Sequence, residues 1–207
     1  MRLTRETVLR AALELLDEVG MDGLTTRRLA DRLGVQSPTL YWHFKNKRAL
    51  FDAMAHAMLD EHTRCIPTPG EDWRAWLLEN ALSFRRALLS HRDGARIHAG
   101  TGPEPGEYDC AEAQVRLLCE AGFAPGEALF AMIALSRFTV GWVLEEQATA
   151  QDAAERDTAI PSPSPEKHSL FTAALAAWQD ETADAAFEKA IGFFIAGLKP
   201  SDGPRKT

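Results

Sequence analysis

At 207 residues, with 45% hydrophobic and 26% charged side chains, the chain has the make-up of a folded protein with material for one large domain, or a small one plus a larger one. No apolar run approaches the length expected of a membrane span and the start Met-Arg-Leu-Thr-Arg-Glu has no signal-peptide core, so a cytoplasmic protein without a membrane partner is expected. The net charge of −7 is unevenly spread: residues 1–50 hold nine Lys/Arg against six Asp/Glu, and the remainder 14 against 24. The cations thus gather at the amino-terminal end, where a polyanion could be met, on an otherwise acidic body. Cys65, Cys110 and Cys119 show no metal spacing and read as buried small hydrophobes.

Strand signals are nearly absent and helical periodicity recurs, so the fold class expected is all-α. Thr4 to Val19 places Val8, Ala12, Leu15, Leu16 and Val19 on one face, and Gly20 ends that helix. A second helix, about 25–33, has Thr25 as N-cap and Gly34 as its left-handed terminus. A short third helix, about 38–44, starts from Ser37 as N-cap with Pro38 in its first turn. It presents Thr39, Tyr41, Trp42 and His43, with Lys45, Lys47 and Arg48 just beyond. Two helices, a tight turn and a polar-aromatic second helix flanked by cations describe a helix-turn-helix DNA reader.

A longer helix opens at Asn46 and turns Leu50, Phe51, Met54, Met58 and Leu59 inward. As residues 47–64, it connects a reading domain, 1–46, to a ligand-binding and dimerisation body, 47–207. Pro67 to Gly70 breaks the pattern. Helices follow at about 73–89 and 91–99, and Gly100, Gly102, Pro103, Pro105 and Gly106 then prevent regular structure. Further helices are expected near 107–121, 126–150, 168–178 and 182–197, with an extended loop at 151–167. No internal repeat is present.

These motifs are specific enough to name a family. Residues 3–50 resemble the DNA-binding domain of the tetracycline repressor (TetR) family, in which a tyrosine-bearing recognition helix runs into a basic start of the next helix. The run Ala87 to Thr101, then Gln114, then Phe138 to Glu145 is similar to the ligand-binding core of the tetracycline repressors proper. The likeness covers residues 3–147 well and the rest weakly.

What it implies is a homodimeric transcriptional repressor on double-stranded, palindromic operator DNA. An inducer would release it, and the controlled gene would confer efflux or resistance. Arg27, Pro38, Thr39 and Tyr41 would face the bases; Thr26, Trp42, His43 and Lys47 would anchor phosphates. Ser37 stands where a glutamine is usual, which implies a different operator. The competing place for Tyr41 and Trp42 is the core of a small domain, although Leu40 and Phe44 are better spaced for that.

The resemblance further implies a ligand delivered as a Mg2+ chelate. His98 would bind the metal directly, and Thr101 and Glu145 would hold coordinated waters, which suits a cation that keeps its water. Asn80, Phe84 and Gln114 match drug-contacting positions, and Leu129 and Met132 join them. Thr63 stands where a drug-contacting histidine is expected, with His62 adjacent. Gly102 replaces an arginine and Arg137 a histidine. The last two long helices, carrying Leu129, Met132, Ile133, Leu135 and Val140 and then Ala186, Phe187, Ile191, Phe194, Ile195 and Leu198, would form a dimeric four-helix bundle, the alternative for these apolar stripes being core within one chain. A tetracycline-like polyketide is the expected inducer, and a different planar metabolite sensed without metal is the alternative. An enzyme using His98 and Glu145 is the contrasting class, and no nucleophile elbow, phosphate loop or HExxH helix supports it.

Overall fold

The computed structural model describes residues 3–62, 66–102, 104–155 and 163–200. Among them are ten α-helices and one 3-10 turn, and no strand. Helix α1, Arg5–Gly23, starts where Thr4 Oγ1 accepts the Thr7 N–H at 3.1 Å and buries Val8, Ala12, Leu15 and Leu16. Its regular part breaks at Gly20, and one further turn carries it to Gly23. Helix α2, Thr26–Leu33, is capped by Thr25 and closed by Gly34 at φ 67°, a conformation that costs a side-chain-bearing residue a Cβ clash. Helix α3, Ser37–Leu40, is shorter than its pattern suggests, and its N-cap is Gln36, so Ser37 lies inside the first turn rather than before it. Beyond Leu40 the chain continues as tight turns through Phe44, with Trp42 N–H on the Thr39 carbonyl and His43 N–H on that of Leu40.

Helix α4, Lys47–His62, begins at Asn46, whose Oδ1 accepts the Ala49 N–H at 2.8 Å. Its inner face (Leu50, Phe51, Met54, Met58) joins Leu16, Leu24, Leu29, Leu40 and Phe44 in one core. Ile97 of the body enters the same core, so α4 belongs to both parts of the molecule. Leu29 has no exposed surface, and truncating it to Ala would cost about 2–5 kcal/mol.

The body is built on α5, Trp73–Leu89, and α8, Pro125–Glu155, with α7, Tyr108–Glu120, and α10, Ala183–Gly197, against them. Trp76, Leu77, Leu118, Leu135, Phe187 and Ile191 fill its core. Arg85 of α5 is buried there, paired through both edges of its guanidinium with Glu146 of α8 at 2.8 and 2.9 Å and with Asp184 of α10 at 2.6 Å. Buried charge is tolerated only with such full pairing.

Four expectations are corrected. The helix expected at 91–99 is α6, Gly94–His98, because His91 to Asp93 form a turn in which Asp93 takes φ 57°. The loop expected from residue 151 begins later, since α8 runs on to Glu155; residues 156–162 lie outside the described residues. Pro125–Ala150 is, by length and composition, apolar enough to cross a membrane, which the sequence reading did not anticipate. That helix packs on α5, α7 and α10 and leaves Leu129, Phe130 and Ile133 exposed. Of the cysteines, Cys119 is a half-buried free thiol packed against the core of the body, Cys110 is disulfide-bonded rather than a buried small hydrophobe, and Cys65 lies outside the described residues. Helix α9, Ser169–Gln179, buries none of its residues in the protomer, and only Trp178, 6.0 Å from the Trp142 ring, ties it to α8 by an aromatic contact.

Head and body meet along a seam of ions. Asp17 accepts from His91 Nδ1 at 2.8 Å and from the Arg92 N–H at 2.9 Å, and Asp22 pairs with Arg96 at 3.0 Å. Arg96 holds the Asp22 carboxyl below its usual range. The Met21 N–H, freed at the Gly20 kink, donates to Asp93 at 2.7 Å.

Candidate functional site

The reading head turns its cationic and aromatic groups outward. Trp42 is 87% and Tyr41 52% exposed, while Leu40 and Phe44 fill the core beneath them, so neither Tyr41 nor Trp42 is a core aromatic. Pro38 is exposed, and Thr26, Ser37, Thr39 and His43 are half-buried around the same turn. Arg28 folds back onto the Gly23 carbonyl at 3.2 Å and Arg32 pairs with Glu14 and Glu18. Arg27, between them, is exposed and makes no hydrogen bond within the described residues. Lys47 lies with its ammonium 5.0 Å over the Phe51 ring, exposed at the start of α4. Arg5 covers Phe44 at 5.3 Å and adds a further cation on this side.

The second site forms at the end of α6. Helix α6 stops at His98, and a type II turn follows: Ala99 has φ −55° and ψ 122°, Gly100 has φ 78°, and Thr101 N–H reaches the His98 carbonyl at 2.9 Å. Only glycine enters the second central position of such a turn without strain. His98 is half-buried with its ring edge-to-face on Phe84, centroids 5.0 Å apart. Its Nδ1 is fully buried and has no hydrogen-bond partner among the described residues. Burial first, then the neighbouring His56, holds its pKa below the ordinary histidine value, so the ring is neutral at neutral pH. A neutral imidazole with an unsatisfied nitrogen is the form a metal ion requires.

Thr101 is three residues from His98, and its Oγ1 accepts from Arg48 at 3.3 Å and donates to Asp52 at 3.2 Å. Arg48 also donates to the Ala99 carbonyl at 3.2 Å and pairs with Asp52 at 2.8 Å. The turn is therefore gripped by α4, the helix that carries the reading head.

The other expected ligand contacts are less concentrated. Asn80 lies one helical turn before Phe84, half-buried on α5. Gln114 is half-buried on α7, its amide directed at Cys110 Sγ, 3.1 Å away. Met132 is half-buried, but Leu129 is 51% exposed and Glu145 lies on the exposed side of α8. Thr63 lies outside the described residues. Among the described residues no three His, Cys, Asp or Glu groups converge on one point. What a protomer does supply, one imidazole and a nearby hydroxyl, fits a hard cation that brings most of its own ligands. Gly102 and Arg137 are both exposed.

Sequence reasoning missed Arg48, Asp52, His56, Glu104 and Glu107. The first two stand four apart on a helix and could have been noticed as a pair. Their grip on residues about fifty positions away is a product of tertiary structure and leaves no local signal.

Comparison with known proteins identifies the family. Residues 8–54 match the model of the bacterial regulatory proteins of the tetR family, and residues 66–201 that of the tetracyclin repressor-like C-terminal domain. The chain is 53% identical over 99% of its length to the tetracycline repressor protein class A from transposon 1721 of Escherichia coli, covering 98% of that protein. The crystal structure of TetR from Acinetobacter baumannii AYE matches 95% of this chain and 96% of its own at 54% identity, with a TM-score of 0.76. The structure of TetR(class A) in complex with 5a,6-anhydrotetracycline and magnesium matches at 48% identity, covering 94% of this chain and 97% of its own, with a TM-score of 0.75.

Proposed function

The chain belongs to the tetracycline repressor (TetR) family of bacterial regulatory proteins, and from that we propose a ligand-released repressor that binds a palindromic operator as a homodimer. It is a regulator rather than an enzyme, working in the cytoplasm and controlling an efflux or resistance gene. Residues 1–46 read the DNA and 47–207 bind ligand and dimerise. Arg27, Ser37, Pro38, Thr39 and Tyr41 face base edges, and Thr26, Trp42, His43 and Lys47 hold phosphates. The partner subunit covers the apolar side of α8, with Phe130 and Ile133, and that of α10, with Phe193, all of them exposed in the protomer.

The inducer is a tetracycline-like polyketide carried with Mg2+. The observation that carries this reading is the buried, unpartnered nitrogen of a neutral His98 next to Thr101. Bound Mg2+ would supply a positive centre that bridges the oxygen-rich edge of the ligand to the protein. His98 holds it directly, and Thr101 and Glu145 hold its waters. Phe84 packs against the His98 ring and fixes its plane; Asn80 and Gln114 recognise ligand oxygens, and Leu129, Met132 and Thr63 line the remainder.

The type II turn after His98 is the operator-free form. A ligand that captures His98 and Thr101 in this arrangement favours it by the difference in affinity between the two forms. Through Arg48 and Asp52 the turn displaces α4, changes the spacing of the two heads and loses the match to successive major grooves. The test is to titrate an operator complex with tetracycline, with and without Mg2+, in wild type and His98→Ala. Release that needs Mg2+ and weakens far more in His98→Ala than in Glu145→Ala supports the reading. Release by the same ligand in EDTA refutes the metal bridge and favours the metal-free alternative, to which the altered Gly102 and Arg137 belong.

A further inference from the structure

We infer that His56 is a positioning residue for release: it fastens the far end of the ligand-site loop to α4 in the operator-free form and so favours that form. Arg48, Asp52 and His56 stand at four-residue intervals on α4 and form a polar stripe about 12 Å long. Arg48 and Asp52 hold the near end of the loop at Ala99 and Thr101. His56 holds the other end. Its Nδ1 lies 2.8 Å from Glu107 Oε1 and its Nε2 3.8 Å from Glu104 Oε1, so a carboxylate faces each ring nitrogen. The His56 side chain is only 13% exposed.

Glu107 is itself fixed. Its second oxygen accepts the Glu104 N–H at 2.8 Å, closing a capping box around the 3-10 turn Pro105–Glu107. His56 therefore binds a rigid knob rather than a mobile side chain. A loop held only at Thr101 could change shape while its far end slid along α4, and the change would be absorbed there. Held at Thr101 and at Glu107, it transmits the change to the helix.

This rests on the reading above that the unwound turn is the operator-free form. A contact present in one form only shifts the balance by its own free energy, and it does so for both ligands at once. Losing the His56 contact must therefore make ligand less effective and DNA binding tighter by related factors. A residue that merely stabilised the fold would not produce that reciprocal pair.

The experiment uses the full-length dimer and a DNA duplex selected by the wild type from a random-sequence pool. Operator affinity is measured without ligand, and the tetracycline concentration for half-release is measured in the presence of Mg2+. His56→Leu and Glu107→Gln should each raise the half-release concentration about five- to tenfold and tighten ligand-free operator binding severalfold. The double variant should do no more than the stronger single, because both remove the same bond. His56→Gln, which keeps a donor on α4, should recover part of the wild-type response. Glu107→Gln alone decides the matter if His56→Leu melts below the assay temperature. Unchanged or weaker ligand-free operator binding, or effects that add in the double variant, overturn the proposal. If the wild-type complex ignores Mg2+-tetracycline while the variants still tighten operator binding, the ligand reading fails and the latch stands.

Discussion

Replacing Gly100 by Ala tests the turn on which release depends. Gly100 sits at φ 78° in the second central position of the type II turn between His98 and Thr101. Space does not oppose the change: an added Cβ would lie 3.5 Å from the Arg48 guanidinium, an ordinary contact with the end of a flexible side chain. The penalty is conformational, roughly 1–2 kcal/mol for an L-residue in the left-handed region. It falls on the unwound form alone, because a helical or extended residue 100 costs alanine nothing. An energy of that size is a factor of about five to thirty in the balance between the forms. Half-release by Mg2+-tetracycline should therefore need five to thirty times more ligand, with operator affinity in its absence held or improved. Gly102→Ala is the internal control: its φ is not left-handed and nothing lies within 4 Å of its Cβ, so it should change release little. Fluorescence anisotropy of a labelled operator measures both quantities. An unchanged half-release concentration in Gly100→Ala, with ligand affinity intact, would refute the role given to the turn.

Removing the Lys47 ammonium, exposed above Phe51, should weaken binding to all DNA sequences alike and lower the salt slope by about one phosphate contact per subunit, measured by binding across a salt series. Arg27→Ala should instead relax the preference at one base pair, at about 1–3 kcal/mol, seen when every single-base variant of the operator is compared. The depressed pKa of His98 means that the unfolded chain takes up a proton before the folded one does. Stability should then fall as pH drops through the ordinary histidine range, and melting curves at pH 7.5 and 5.5 should show a smaller fall in His98→Asn. Phe130→Glu, at a site 75% exposed in the protomer, should shift the dimer towards monomer in sedimentation velocity while the far-ultraviolet helix signal persists.

Much of this architecture was legible because helix ends write themselves locally. Thr25 caps the helix its position announces, α4 opens at Asn46, and Gly34 closes α2. The spacing of Leu40 and Phe44 separated core from surface around Tyr41 and Trp42. The misses share a cause. Ser37 looked like a cap, yet backbone geometry gave that place to Gln36, which makes no side-chain cap bond. His91 to Asp93 read as helix because their departure depends on bonds to Asp17 and Met21, more than seventy residues away. His98 stood out through resemblance, and its missing hydrogen bond could be found only in three dimensions.

The seam between head and body has a consequence for any salt titration of this protein. Its ion pairs, Asp17 with His91 and Asp22 with Arg96, are partly solvent-exposed and are weakened by added electrolyte. The apolar thread through α4 and Ile97 is indifferent to ionic strength. Raising salt therefore does more than strip counterions from DNA; it also slackens the joint that sets the distance between the two recognition helices. The slope of log affinity against log salt would count phosphates plus this intramolecular loosening. Subtracting the slope measured with the isolated head, if it folds, from that of the whole dimer would separate them, and the difference would express the stiffness of the joint in units of ions.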